Sequence, residues 1–88
     1  MAYRIEFSPY ARRQFGALSG AVQARLRSHI DALAENPRPP GIQKLKGHDK
    51  TFRCRVGSYR IVYELHDDIL LVLIVEVGHR REVYRRRR

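Results

Sequence analysis

Residues 2–7, AYRIEF, alternate polar and apolar side chains. Successive side chains of a strand point to opposite faces, so this stretch reads as a first strand. Ser8 and Pro9 follow. The hydroxyl suits a helix N-cap, and the fixed φ of proline suits the first helical position. Ala11, Phe15 and Leu18 then recur at helical spacing, and Gly20 suits a stop. A second helix is expected over residues 21–36. Val22, Leu26, Ile30 and Leu33 form one apolar stripe there, with Arg25, Arg27 and Asp31 off it. Asn36-Pro37 ends that helix, because the residue before a proline resists helical dihedrals. The two helices read as a hairpin joined at Ser19-Gly20.

The segment PRPPG fits neither a helix nor a central strand, and leads extended chain back towards a sheet. From residue 51 the period is two. TFRCRV puts Phe52, Cys54 and Val56 on one face, and Arg53 and Arg55 on the other. Gly57-Ser58 forms a two-residue hairpin turn. SYRIVYEL puts Tyr59, Ile61, Tyr63 and Leu65 on one face, and His66-Asp67-Asp68 makes the next turn. Residues 69–77, ILLVLIVEV, are apolar on both faces as far as Glu76, which marks a central strand covered on both sides. The expected architecture is α+β: an N-terminal strand, then a two-helix hairpin packed on one face of a small antiparallel sheet with a three-strand meander. Arg53 and Arg55 should emerge from the other face.

Eighty-eight residues make one domain, taken as residues 1–84 with a basic tail at 85–88. With 43% hydrophobic and 31% charged residues the chain is globular rather than disordered. Its one cysteine, Cys54, excludes an internal disulfide framework and fits a reducing compartment. The start resembles no signal peptide, and the longest apolar run, 69–75, falls far short of the roughly 20 residues of a membrane helix. A soluble, cytoplasmic protein with no membrane contact is expected.

Charge changes the picture more. The net charge is +9, unevenly placed. Residues 1–37 carry +2, residues 38–60 carry +6, residues 61–79 carry −4 and residues 80–88 carry +5. If the fold joins the two basic blocks, the result is a concentrated anion site suited to a polyphosphate partner, or to an acidic protein segment. A generally basic surface that aids solubility is the bland alternative.

Particular residues sharpen this. In KLKG, extended chain would turn Leu45 inward and Lys44 and Lys46 outward together. Paired lysines repel and lower one another's pKa, which makes a usable base or a ready phosphate ligand. Solvated loop lysines are the plain reading of that pair taken alone. Arg53 and Arg55 share a face and could grip a phosphate bidentately, or simply be the solvent side of a sheet. Arg60 gives a weaker signal of the same kind. Arg80 and Tyr84 are neighbours in either extended or helical chain. A tyrosine in a positive field can protonate a leaving oxygen, and an arginine can hold transition-state charge. Taken on the tail alone, Tyr84 reads equally as a packing aromatic. Arg81 adds to the phosphate-binding set, and His79 is the histidine beside a basic block. His29, His48, His66 and His79 show no metal spacing, so no metal and no cofactor is expected. Together the set suits metal-free cleavage of RNA, in which a base activates the 2′-hydroxyl, cations stabilise the phosphorane and an acid protonates the departing 5′-oxygen. DNA, lacking the 2′-hydroxyl, would not be cut this way.

The chain resembles the RelE branch of the RelE/ParE family of bacterial toxins, in YRIEFSPYARRQF, NPRPPGIQKLKG, FRCRVGSYRIVYEL and VGHRREVYR. The resemblance implies the same strand, helix hairpin and meander. It implies an endoribonuclease (mRNA interferase) that cuts messenger RNA in the ribosomal decoding site and so inhibits translation, and a cognate antitoxin encoded alongside that forms a hetero-oligomer with it. By the resemblance Lys44, Lys46, Arg80 and Tyr84 are catalytic and Arg55 contacts the phosphate, while Arg53, Arg60, Arg81 and His79 are expected from their own charge and placement to join Arg55 in binding RNA and phosphate. Two other functions stay open. A ParE-like gyrase poison without nuclease chemistry predicts that Lys44, Lys46 and Tyr84 are dispensable for toxicity. A non-catalytic RNA- or DNA-binding module predicts salt-sensitive binding and no cleaved product.

Overall fold

The computed structural model describes residues 2–79. Along the chain run β1 (Arg4–Phe7), α1 (Pro9–Gly16), α2 (Gly20–Ala32), β2 (Gln43–Lys44), β3 (Thr51–Val56), β4 (Tyr59–His66), a 3-10 turn (Asp67–Ile69) and β5 (Leu71–His79). Among the described residues the five strands form one sheet in the order β1-β5-β4-β3-β2. The expected α+β fold is found, with one addition: the meander carries a fourth, two-residue member, β2, paired antiparallel with β3.

Ser8 caps α1 as expected, but α1 ends at Gly16, and Gly20, expected as a stop, is instead the first residue of α2, with Ser19 as its cap. Ser8 Oγ accepts from the Ala11 N–H at 3.1 Å, and Ser19 Oγ from the Val22 N–H at 3.3 Å. The end of α2 differs. The regular helix stops at Ala32, and the chain tightens through i→i+3 bonds, Leu33 N–H to Ile30 O at 3.0 Å and Ala34 N–H to Asp31 O at 3.1 Å. The carbonyl of Ala34 is then taken by the Tyr3 N–H, 2.8 Å away, so the helix end is tied to the start of the sheet.

β5 is central, as its two-sided apolar pattern requires. It pairs in parallel with β1, from Arg4↔Leu71 to Phe7↔Ile74, and antiparallel with β4. It begins two residues later than expected. Ile69 is spent on the 3-10 turn and Leu70 adopts a left-handed φ of 52° to leave it. It also runs on to His79, past a register shift between Val62 and Tyr63. Beyond Phe7, β1 no longer covers β5, and the Val77 N–H is donated instead to Gln14 Oε1 of α1 at 2.9 Å. A side chain thus satisfies a ladder donor that would otherwise be orphaned.

The core lies between the helices and one sheet face. Ala11, Leu26, Ile30 and Leu33 pack on Ile61, Tyr63, Leu65, Val72, Ile74 and Val77. Tyr63 is fully buried, donates its hydroxyl to Pro37 O at 2.9 Å, and stacks on Phe52. Burial pushes its phenol well above the ordinary value. The proline segment is therefore anchored from below. It is anchored again at the rim. Arg38 donates to Asp67 Oδ2 at 2.7 Å and lies over the Phe52 ring, while the Tyr3 hydroxyl donates to Asp67 Oδ1 at 2.6 Å.

The hydrogen bond from Arg38, and then that from Tyr3, holds the Asp67 carboxyl below its usual range. A depressed carboxylate stabilises the fold fully above the unfolded pKa near 4, and that contribution is lost as pH falls through the lower folded value. In urea titrations carried down through that acid range, the wild-type midpoint will fall more steeply with pH than that of Asp67→Asn. Parallel curves would show that the clamp contributes nothing.

Candidate nucleic-acid interface

Phe52 and Cys54 pack towards the core, so by alternation Arg53 and Arg55 leave β3 on the face the helices do not cover. This meets the expectation for both. The strand register then adds what a single strand cannot show. Arg55 lies directly opposite Arg60, and Arg53 lies opposite Val62 on one side and Gln43 on the other. Like charges directly opposite in a ladder destabilise it. Two guanidinium groups are placed so here, with Arg55 exposed and Arg60 only 5% exposed. Arg53 Nη2 donates to Gln43 Oε1, but its Nε is shielded from solvent with no hydrogen-bond partner among the described residues. A buried donor left so costs about 1–3 kcal/mol, and an unmet cost of this kind is an expected mark of a ligand-binding site. The carboxylate nearest along this face is Glu76, opposite Val62 and so diagonal to Arg60. Further along, acidic groups pair locally, Glu64 with His66 at 2.9 Å and Glu6 with Arg4 at 2.9 Å. The face is thus basic at the hairpin end and charge-balanced at the other.

Other sequence candidates fall elsewhere. Lys44 lies opposite Phe52, and so takes the helix side of the edge strand rather than the face of Arg53 and Arg55. Lys46 lies past the strand, in a turn that Gly47 closes with φ 80°. The expected outward lysine pair beside the arginines is corrected accordingly: the register, set by the Leu45 N–H on Thr51 O at 2.8 Å, decides the faces. His79 sits opposite Tyr59, edge-on to its ring at 5.6 Å between centroids, and so shares the core-facing side of the sheet rather than the arginine face. Arg80, Arg81, Tyr84 and the tail 85–88 lie outside the described residues. Arg60 gave a weak sequence signal, as Arg53 and Arg55 did taken alone, and its place opposite Arg55 makes it one of the stronger structural ones. Only the pairing register carries that information.

Two clefts lie away from this face. One of about 220 Å³ adjoins the Arg38–Asp67 clamp, and one of about 440 Å³ lies between β1 and Arg12, Arg27 and Asp31 of the helices.

Residues 5–84 match the family model described as the ParE toxin of the type II toxin–antitoxin system parDE. The mRNA interferase toxin RelE of Escherichia coli K12 is 31% identical, over 96% of this chain and 92% of that protein. Toxin RelG of Mycobacterium tuberculosis is 31% identical, over 98% and 100%. Among solved structures, the isolated E. coli RelE toxin superposes with a TM-score of 0.80 at 28% identity, covering 98% of this chain and 95% of that one. The toxin in the intact E. coli RelBE toxin–antitoxin complex superposes with a TM-score of 0.79 at 28% identity, covering 89% and 96%.

Proposed function

Because the chain belongs to the RelE/ParE family of toxins from type II toxin–antitoxin systems, we propose that it is an mRNA interferase, a cytoplasmic endoribonuclease that cleaves messenger RNA on the ribosome and is silenced by a cognate antitoxin. The observation that carries this reading is the cross-strand apposition of Arg55 and Arg60 beside the unsatisfied Nε of Arg53. A scissile phosphodiester resolves both costs. Its oxygens accept from Arg53 Nε, and its negative charge is favoured beside the positive charge of Arg55. In cleavage the 2′-hydroxyl gives its proton to a base as its oxygen bonds to phosphorus, and the P–O5′ bond breaks as the 5′-oxygen takes a proton from an acid. The phosphorane between them carries more charge than the ground state, so fixed guanidinium groups favour it selectively. By the family resemblance Tyr84 is either the proton donor or a base-stacking group. The same basic face gives an acidic antitoxin segment its target, and covering it blocks RNA.

The test is 5′-end mapping of a reporter message incubated with purified protein, with and without programmed ribosomes. Cuts that require ribosomes support the reading. Intact message in every lane, from protein that still arrests growth, discards it in favour of a gyrase-directed toxin. The lysines separate two versions of the site. Lys44→Ala will leave the cleavage rate within about threefold of wild type, because Lys44 takes the other side of the sheet. A loss of a hundredfold or more in that assay would return Lys44 to the catalytic set.

A further inference from the structure

We propose that Arg25 of α2 is a further phosphate-binding residue of this RNA surface, delivered to the tip of the β3–β4 hairpin through the space left by Gly57. The inference rests on the RNA-binding reading of the arginine face and extends its boundary. Gly57 turns the hairpin with φ 61°, and the Arg25 guanidinium lies against it. A Cβ built on Gly57 would stand 2.6 Å from Arg25 Nη2 and 3.3 Å from Cζ. The absence of a side chain is what admits the guanidinium. The helix thus sends a cation across the layer to the one turn that joins Arg55 to Arg60.

Its electrostatic setting points to an anion. Three other exposed arginines are spent on carboxylates, Arg4 on Glu6, Arg27 on Asp31 at 3.8 Å, and Arg38 on Asp67, while exposed Arg55 on this same hairpin is not. Arg25 is exposed, and no carboxylate among the described residues pairs with its side chain. Residues 50–63 contain no Asp or Glu, and the hairpin's one carboxylate, Glu64, lies at its far end, opposite Thr51. The ladder pair Val56↔Tyr59 closes the turn, and Arg55↔Arg60 is the next pair along, on the opposite face. A sugar–phosphate chain passing over the tip meets Arg55 and Arg60 on one side and Arg25 on the other. The Arg25 side chain is otherwise exposed, and a guanidinium is suited to bidentate contact with phosphate.

The test measures binding of the full-length protein to ribosomes programmed with a reporter message, across a range of salt, for wild type, Arg25→Ala and Arg25→Lys. The expected result for Arg25→Ala is an affinity about three- to tenfold lower at low salt, and a log–log salt slope shallower by about one, as for the loss of one phosphate contact. Arg25→Lys keeps the wild-type slope, and both variants melt with wild type. An unchanged slope and affinity in Arg25→Ala overturns the proposal, as does a loss that follows a lowered melting temperature. So does a loss confined to antitoxin binding. Cleavage is scored in the same samples. Wild type that binds with the Arg25-dependent slope yet never cuts would sink the nuclease reading and leave this contact standing.

Discussion

Replacing Arg53 and Arg55 together with alanine will lower the rate of message cleavage by about two to three orders of magnitude, with little change in melting temperature. The size follows from what the two side chains do. Each removes fixed positive charge from the place where the phosphorane gathers negative charge. The thermal neutrality follows from placement: Arg55 is exposed, and removing it also relieves its opposition to Arg60. Single-turnover cleavage on programmed ribosomes separates this from a loss of affinity, since saturating protein restores a binding defect and not a chemical one. A double variant that cuts at the wild-type rate under saturation would remove both arginines from the transition state. Arg60 makes a poorer probe, because it is buried and its removal disturbs the sheet as well as the site.

Leu26→Ala will destabilise the fold by about 3 kcal/mol, and thermal or urea denaturation will show it. Leu26 is fully buried, at the centre of the α2 stripe, against the core face of the sheet. The change deletes apolar atoms and leaves a cavity that the sheet on one side and the α1–α2 hairpin on the other cannot readily close. In a domain of this length such a loss is a large fraction of the total, about 5–15 kcal/mol for native proteins in general. The variant will be sensitive to temperature while keeping its cleavage pattern at low temperature. A shift below about 1 kcal/mol would mean that the helix pair relaxes onto the sheet more freely than its packing indicates.

The sequence and the fold agree wherever a period was long enough to read. The two-sided apolar run of β5 placed it between two neighbours, and the alternation in TFRCRV placed Arg53 and Arg55 on the uncovered face. What stayed illegible depends on pairing across long separations. A two-residue strand such as β2 has no period, so the side taken by Lys44 is set only by its alignment with Phe52. Arg60 gains its meaning from Arg55, and Arg25 from Gly57, relations that strand and helix patterns do not encode. The end of α2 was overestimated because the apolar stripe continues through Leu33 while the backbone tightens to meet Tyr3. His79 was judged by its basic neighbours in the chain, whereas the sheet gives it Tyr59 as a neighbour in space.

The parallel pairing of β1 with β5 has a consequence for biosynthesis. Residues 4–7 find their ladder partners only at 71–74, so the first strand made must wait for the last described strand before it has any hydrogen-bonded neighbour. A nascent chain that has delivered only β1, α1 and α2 holds an amphipathic helix hairpin with no sheet to cover it. Such high contact order slows folding and leaves apolar surface exposed in the interval. The arginine face does not exist in that interval either, since it is assembled by β3 and β4 within the same sheet. A growing chain therefore gains this face only after β4 has been made, and β1 gains its place in the sheet only with β5.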